Sequence, residues 1–354
     1  MPALRAGGCI LPPTQLASCA CPARFPSSKG FPVIRIGLLG VLVSQVDRLK
    51  KFWDFPYEII DLEAPLPPTG KHEVDVLLSV VFKAEHAQRV NFKLLQATGV
   101  GVDAIDFDLV PKDAWVCNMY HHEGPIAEYC ILAMLNHEIR WAELTGMFSN
   151  ETWSDVYFTR PRHGEVAGKT LGIVGFGHIG KEIATRAQAM GMRILAVASR
   201  DRAPSHGAAW VKGPEALGDL FEQSDYVVVC CDLNDKTRGL INAPVLSRMK
   251  SHGVVINVAR GPVIDEVALY TALQNRSIGG AVLDVWYRNP GHRGDCTTPS
   301  DLRFDMLDNA VCTPHASAWT EQLAERRYSA VAGNIRSLMA GQPLINVVKA
   351  PAIR

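Results

Sequence analysis

The sequence predicts an α/β protein built on parallel sheets and long enough for two domains. Short apolar runs suited to strands buried on both faces alternate with stretches of helical periodicity. One such run ends in a glycine-rich turn that opens a helix. The 354 residues suffice for two domains of ordinary size.

Residues 1–30 do not read as folded chain: they hold five Pro, three Gly and three Cys, and the first acidic residue is Asp47. This basic, acid-free stretch reads as a disordered tail, with an organelle-targeting segment as the alternative. From residue 31 the globular part begins. The run 33–43 reads as a strand with its turn, 74–81 as a second strand, and 92–97 leads into a third near Thr98. Pro65, Pro67, Pro68 and Gly70 mark a loop between the first two. From Ile126 apolar residues recur at helical spacing, giving a long helix able to cross between domains.

The stretch 169–200 is strand, tight turn, helix, strand. Gly175, Gly177 and Gly180 form G-x-G-x-x-G at the first junction. The first glycine permits the turn, the second lets backbone approach a pyrophosphate, and the third lets helix pack on strand. The helix, from about Ile179 to Met190, aims its free N–H groups, those of His178 and Ile179 among them, at the phosphates. At the end of the second strand, where an NAD site wants a carboxylate for the ribose, the chain has Ala198, Ser199, Arg200, Asp201 and Arg202. Ser199 and Arg200 suit a 2′-phosphate, so NADP(H) is preferred, with NAD(H) the alternative that Asp201 keeps open. Further strands follow at 226–231, 253–261, 278–286 and, as the last one, 309–319, with helices near 266–273 and 321–339.

Composition bounds the function. Lys plus Arg equals Asp plus Glu at 36 each, which gives no broad basic face for nucleic acid or anionic membrane. No apolar run approaches the length of a membrane-spanning helix. The nine cysteines form no CxxC pair and no zinc spacing, and Cys230 and Cys231 in an apolar strand read as free thiols of a reducing compartment.

The blocks GVGVDAID (99–106), GKTLGIVGFGHIG (168–180), TRGLINAPVLSRMKSHGVVINVARGPVIDE (237–266), GGAVLDVW (279–286) and TPHASAWT (313–320) stand in this order. Together they closely resemble the D-isomer-specific 2-hydroxyacid dehydrogenases. The resemblance implies two doubly wound lobes of Rossmann and flavodoxin type, a substrate lobe of about 31–128 plus 320–354 and an inserted coenzyme lobe of about 129–319. It implies reduction of a small 2-oxo acid, such as glyoxylate or hydroxypyruvate, in a homodimer joined through the coenzyme lobe; the location expected is cytoplasmic, or an organelle if residues 1–30 are a targeting segment. By the same resemblance Arg260 binds the substrate carboxylate, His315 exchanges the proton, and Asp284 lies near the nicotinamide. Ser79, Val80 and Val81 offer backbone N–H groups to the carboxylate. No metal is implied, and His121, His122 and Glu123 read as cleft lining.

One residue departs from the pattern. The acid that partners the histidine sits just before the proline after LDV, where this chain has Asn289. An amide orients an imidazole without raising its pKa as a carboxylate does. Two alternatives follow: a reductase with a less basic His315, or an NAD-dependent formate-type dehydrogenase. A third reading, from a different class, is a weakly catalytic NAD(P)-sensing protein. Trp286 and Trp319 are candidates to wall the pocket.

Overall fold

The computed structural model describes residues 32–68, 70–290 and 294–352, so the 1–30 segment lies outside the described residues. Fifteen strands form among them. They are β1 (Ile34–Leu38), β2 (Tyr57–Ile60), β3 (His72–Glu73), β4 (Val76–Leu78), β5 (Val90–Asn91), β6 (Leu94–Gln96), β7 (Trp115–Cys117), β8 (Thr170–Val174), β9 (Arg193–Val197), β10 (Ala208–Lys212), β11 (Tyr226–Val229), β12 (Val254–Asn257), β13 (Gly280–Leu283), β14 (Ala310–Cys312) and β15 (Val347–Lys349).

Two sheets carry the architecture. The first has the order β15-β7-β6-β4-β1-β2, and the second β10-β9-β8-β11-β12-β13-β14; β3 and β5 make a separate pair. All neighbours in the second sheet are parallel, and its order reverses at β8. That reversal is where an open α/β sheet forms its binding crevice, and the glycine turn follows β8 directly. Strands β8, β11, β12 and β13 are buried along their whole length, as continuous apolar runs covered on both faces should be.

Two expected elements differ. The run 33–43 is a strand only to Leu38; Gly40 takes a positive φ of 62° and a 3₁₀ turn follows, leaving Val41 and Val43 exposed. The 309–319 run is not the last strand, because the chain leaves the sheet after Cys312 and His315 adopts a left-handed φ of 57°. The last strand is β15, which pairs antiparallel with β7 at the open edge of the first sheet.

Two helices tie the sheets together. Helix Glu123–Ile139 buries Ile126, Ala127, Cys130 and Met134, a stripe of helical period, in the same core as Ile173, Ile183, Ala184 and Ala187. Each fully buried Ile or Met side chain in that seam contributes about 1.5–3 kcal/mol. Helix Glu321–Met339 starts at Thr320, whose hydroxyl accepts the Leu323 N–H at 3.1 Å, and buries Tyr328, Val331, Ala332 and Ile335 with Ile36 and Leu78 of the first sheet. Asp103, which follows β6 of the first sheet, and Arg260, which follows β12 of the second, are bonded to each other, so the carboxyl ends of strands from both sheets meet there.

Candidate active site

The glycine turn has the shape a dinucleotide requires. Gly175 has φ 104°, and a Cβ there would lie 2.5 Å from the Cys231 nitrogen. A Cβ on Gly180 would lie 2.3 Å from the Gly175 carbonyl oxygen. At Gly177 a Cβ would meet nothing within 4 Å, so that backbone faces open space. Helix His178–Ala189 begins there, and the N–H groups of its first turn have no acceptor within the helix. These residues fit a pyrophosphate.

The loop after β9 is cationic. Asp201 accepts the Gly213 N–H at 2.7 Å and is turned toward β10. Ser199 and Arg200 are exposed, and Arg202 reaches the Ser199 hydroxyl at 3.5 Å. The one acid of the loop is thus engaged with backbone, while its hydroxyl and guanidinium groups stay accessible.

Arg260 leaves the end of β12 in a turn stapled by Asn257. The Asn257 amide donates to the Arg260 carbonyl at 3.1 Å and accepts the Ala259 N–H at 3.1 Å. Across the cleft, Asp103 of the GVGVDAID segment accepts from Arg260 Nε at 3.3 Å and Nη2 at 3.2 Å. Gly101 makes room for this pair, since a Cβ there would lie 1.9 Å from Arg260 Nη2. Asp103 was not singled out in the sequence, and its signal was the segment's place after β6.

Asp284 builds the loop that carries His315. Its carboxylate is 0% exposed. It accepts the Thr313 hydroxyl at 2.6 Å, the Ala316 N–H at 2.7 Å and the Ser317 N–H at 2.8 Å. The hydroxyls of Tyr129 and Thr313 are 2.7 Å apart, and Trp286 Nε1 donates to the Thr313 carbonyl at 2.9 Å. Sequence reasoning read Asp284 as a coenzyme contact; the bonds it makes here clamp the His315 loop. Replacing it by Asn turns an amide NH₂ against a backbone N–H donor. The expected result is a loss of about 1–3 kcal/mol, read by thermal unfolding, together with a fall in kcat as His315 loses its fixed position.

His315 has its pKa held below the ordinary imidazole value, first by desolvation in the cleft and then by the Arg260 charge. Asp284 and Asp103 act in the opposite direction. Asn289 does not take the place of the expected acid. It is exposed and makes no hydrogen bond to His315 among the described residues. Its neighbour Arg288 is bonded to the Thr298 carbonyl at 3.0 Å and paired with Asp301 at 2.7 Å, which fixes that loop on the 298–301 segment.

The expected carboxylate cradle is narrower than the sequence suggested. The Ser79 N–H is taken by the Gln96 carbonyl at 3.3 Å, and the Val81 N–H by the Ser79 hydroxyl at 3.1 Å. Only the Val80 N–H makes no hydrogen bond among the described residues. Trp319 is 69% exposed, whereas Trp286 braces the loop. Among the described residues no group of three potential metal ligands occurs, and no helix is long and apolar enough to cross a membrane.

Comparison with known proteins agrees with this geometry. Residues 131–317 match the family described as D-isomer specific 2-hydroxyacid dehydrogenase, NAD binding domain. A D-3-phosphoglycerate dehydrogenase of Methanocaldococcus jannaschii is 32% identical over 283 residues, which are 78% of this chain and 50% of that protein. The chain thus spans about half the length of that relative. A hydroxypyruvate reductase of Thermotoga maritima is 33% identical over 242 residues, 67% of this chain and 74% of that protein. The solved structure of an NADPH-dependent glyoxylate/hydroxypyruvate reductase from Sinorhizobium meliloti shares the fold, with a TM-score of 0.72 at 22% identity over 90% of this chain and 98% of that one. The glycine turn, the Arg260 turn and most of the His315 loop lie within the matched residues 131–317, and the chain belongs to the D-isomer specific 2-hydroxyacid dehydrogenase family.

Proposed function

We propose that the protein is an NAD(P)H-dependent oxidoreductase that interconverts a 2-oxo acid and its D-2-hydroxy acid, with NADP(H) the preferred coenzyme. The observation that carries the reading is the convergence of Arg260 and His315, delivered by the ends of β12 and β14 of one sheet and close enough that the guanidinium depresses the imidazole. A guanidinium gives a carboxylate two parallel donors, and the Val80 N–H adds a third. His315 in its protonated form donates to the oxygen of the reacting carbonyl, and in its neutral form takes that proton back. When bound on the glycine turn, the nicotinamide coenzyme supplies the hydride.

Coenzyme preference rests on the Ser199, Arg200 and Arg202 loop with Asp201 turned to the Gly213 amide. In the Arg200→Ala, Arg202→Ala double variant, KM for NADPH is expected to rise about 10- to 150-fold, as for loss of hydrogen bonds to a charged group. KM for NADH should move less than about threefold, so a steady-state titration of both coenzymes checks it.

The active unit in this proposal is a homodimer in a reducing compartment, with the cytoplasm the natural one. A groove of about 540 Å³ is walled by Tyr129, Leu132, His137, Val282 and Val311 and reaches Ala142 and Glu143 of helix Trp141–Met147, which exposes Trp141 (66%); helix Trp153–Thr159 exposes Phe158 (82%). A patch of this kind suits a second copy. The six cysteines among the described residues are all free.

The test is purified protein with glyoxylate, hydroxypyruvate, pyruvate and formate, each with both coenzymes, followed by the absorbance of reduced nicotinamide. NADPH oxidation driven by a 2-oxo acid is expected. Activity confined to formate and NAD would overturn the proposal, and coenzyme binding without turnover would favour the sensing role.

A further inference from the structure

Besides the Asp103–Arg260 pair, a second side-chain contact joins strand ends of the two sheets, and the reaction as described does not use it. Tyr120 follows β7 of the first sheet. Its ring packs on that of His178, the first residue of helix His178–Ala189, with centroids 5.0 Å apart and planes inclined by 44°. His178 stands on the glycine turn next to Gly177, where the backbone faces open space. A residue from outside the nucleotide-binding sheet thus lies against the turn that fits the pyrophosphate.

The backbone around Tyr120 is held in a costly shape. His121 has φ 78°, a left-handed conformation that residues with a Cβ rarely adopt and that persists only where the surroundings enforce it. Here they do. The Met119 N–H donates to the Gly99 carbonyl at 3.0 Å, Arg326 Nη2 donates to the His121 carbonyl at 3.2 Å, and Arg327 Nε reaches the Tyr120 carbonyl at 3.5 Å. Helix Glu123–Ile139 starts after His122 and fixes the far end of the segment. The side chains, in contrast, have no polar partner: neither the Tyr120 hydroxyl nor the His178 ring makes a hydrogen bond among the described residues. Tyr120 is half-buried and His178 exposed.

A helix N-terminus offers a diphosphate its amides and the positive end of its dipole, but no full charge and no side-chain donor. Between Gly175 and Gly180, His178 is the one side chain with a hydrogen-bond donor, and the ring it touches carries another, the phenol of Tyr120. We infer that Tyr120 is a coenzyme-binding residue: its hydroxyl donates to the pyrophosphate from the side facing away from the helix amides, and the His178 ring donates beside it. The pyrophosphate then bridges the parts of the chain built on the two sheets, and the strained turn at His121 is what aims the phenol at it. This inference rests on the coenzyme reading of the glycine turn and deepens it.

The experiment measures dissociation constants on the full chain and on its Tyr120→Phe and His178→Phe variants. NADPH is titrated directly by fluorescence, and adenosine 2′-monophosphate, which has no pyrophosphate, by competition. Both substitutions keep a ring in place and remove only the donor. Tyr120→Phe should weaken NADPH by about 10- to 150-fold, the worth of a hydrogen bond to a charged group, and leave the fragment unchanged. His178→Phe should show the same split. An unchanged NADPH constant in Tyr120→Phe, or an equal loss for NADPH and the fragment, would overturn the inference. Should the wild type prefer NADH, the same comparison runs with NADH and adenosine. A wild type that binds neither coenzyme sinks the coenzyme reading and the inference together, whereas normal binding by Tyr120→Phe sinks the inference alone. If Tyr120→Phe does not fold, nitration of the wild type by tetranitromethane decides. Tyr120 should be protected by NADPH and not by the fragment, and equal modification in both cases contradicts the assignment.

Discussion

Replacement of His315 by Gln is expected to lower kcat for 2-oxo acid reduction by about 10²- to 10⁴-fold, the usual worth of a positioned proton donor. Glutamine retains hydrogen-bonding capacity and similar size but cannot deliver a proton, so the loss falls on kcat more than on KM. Binding of NADPH should change little, because the glycine turn lies on β8, away from the loop after β14. Fluorescence titration of the coenzyme together with steady-state kinetics separates the two. A variant that keeps more than a tenth of the wild-type kcat would remove His315 from the proton-transfer role.

The second large effect concerns Arg260. Arg260→Leu removes the carboxylate clamp and leaves Asp103 without its partner. Truncating one side of a hydrogen-bonded charge pair costs about 2–5 kcal/mol, or roughly 30- to 5,000-fold in kcat/KM. Asp103→Asn offers a milder companion. It keeps the Arg260 side chain but frees its Nε and Nη2 from the carboxylate that orients them. It also removes one of the two charges that raise the His315 pKa. Its pH profile for reduction should therefore move to lower pH than the wild type's, whereas a role for Asp103 in folding alone would leave the profile in place.

The coenzyme half of this site was legible because its signal is local. A tight turn, a helix start and two strands occupy about thirty consecutive residues, and each glycine has a steric reason that a sequence can state. Arg260 and His315 were legible through their sequence blocks. What holds them was not. Asp103 meets Arg260 across 157 residues of chain, and no spacing rule connects them. Asp284 was visible as a residue near the site, but its role as a clamp depends on the chain turning out of β14 so that two amides and a hydroxyl face one carboxylate. Asn289 misled in the opposite way. Its position before Pro290 suggested a place beside His315, yet the pairing of Arg288 with Asp301 holds that segment on its own loop. The 33–43 and 309–319 runs show the same limit, since apolar content marks a strand but not where backbone φ turns positive and ends it.

The most direct test of the account is the pH dependence of kcat/KM for NADPH-linked glyoxylate reduction between about pH 5 and pH 9.5, measured beside His315→Gln. The free imidazole sits below its ordinary value of about 6.5, and the protonated form is the donor. The rate should therefore be greatest in acid and fall as pH rises through that region, with the reverse trend for oxidation of the hydroxy acid and no such titration in the variant. A reduction rate that stays flat to about pH 9 in the wild type would contradict His315 as the proton donor, and with it the central assignment of the site.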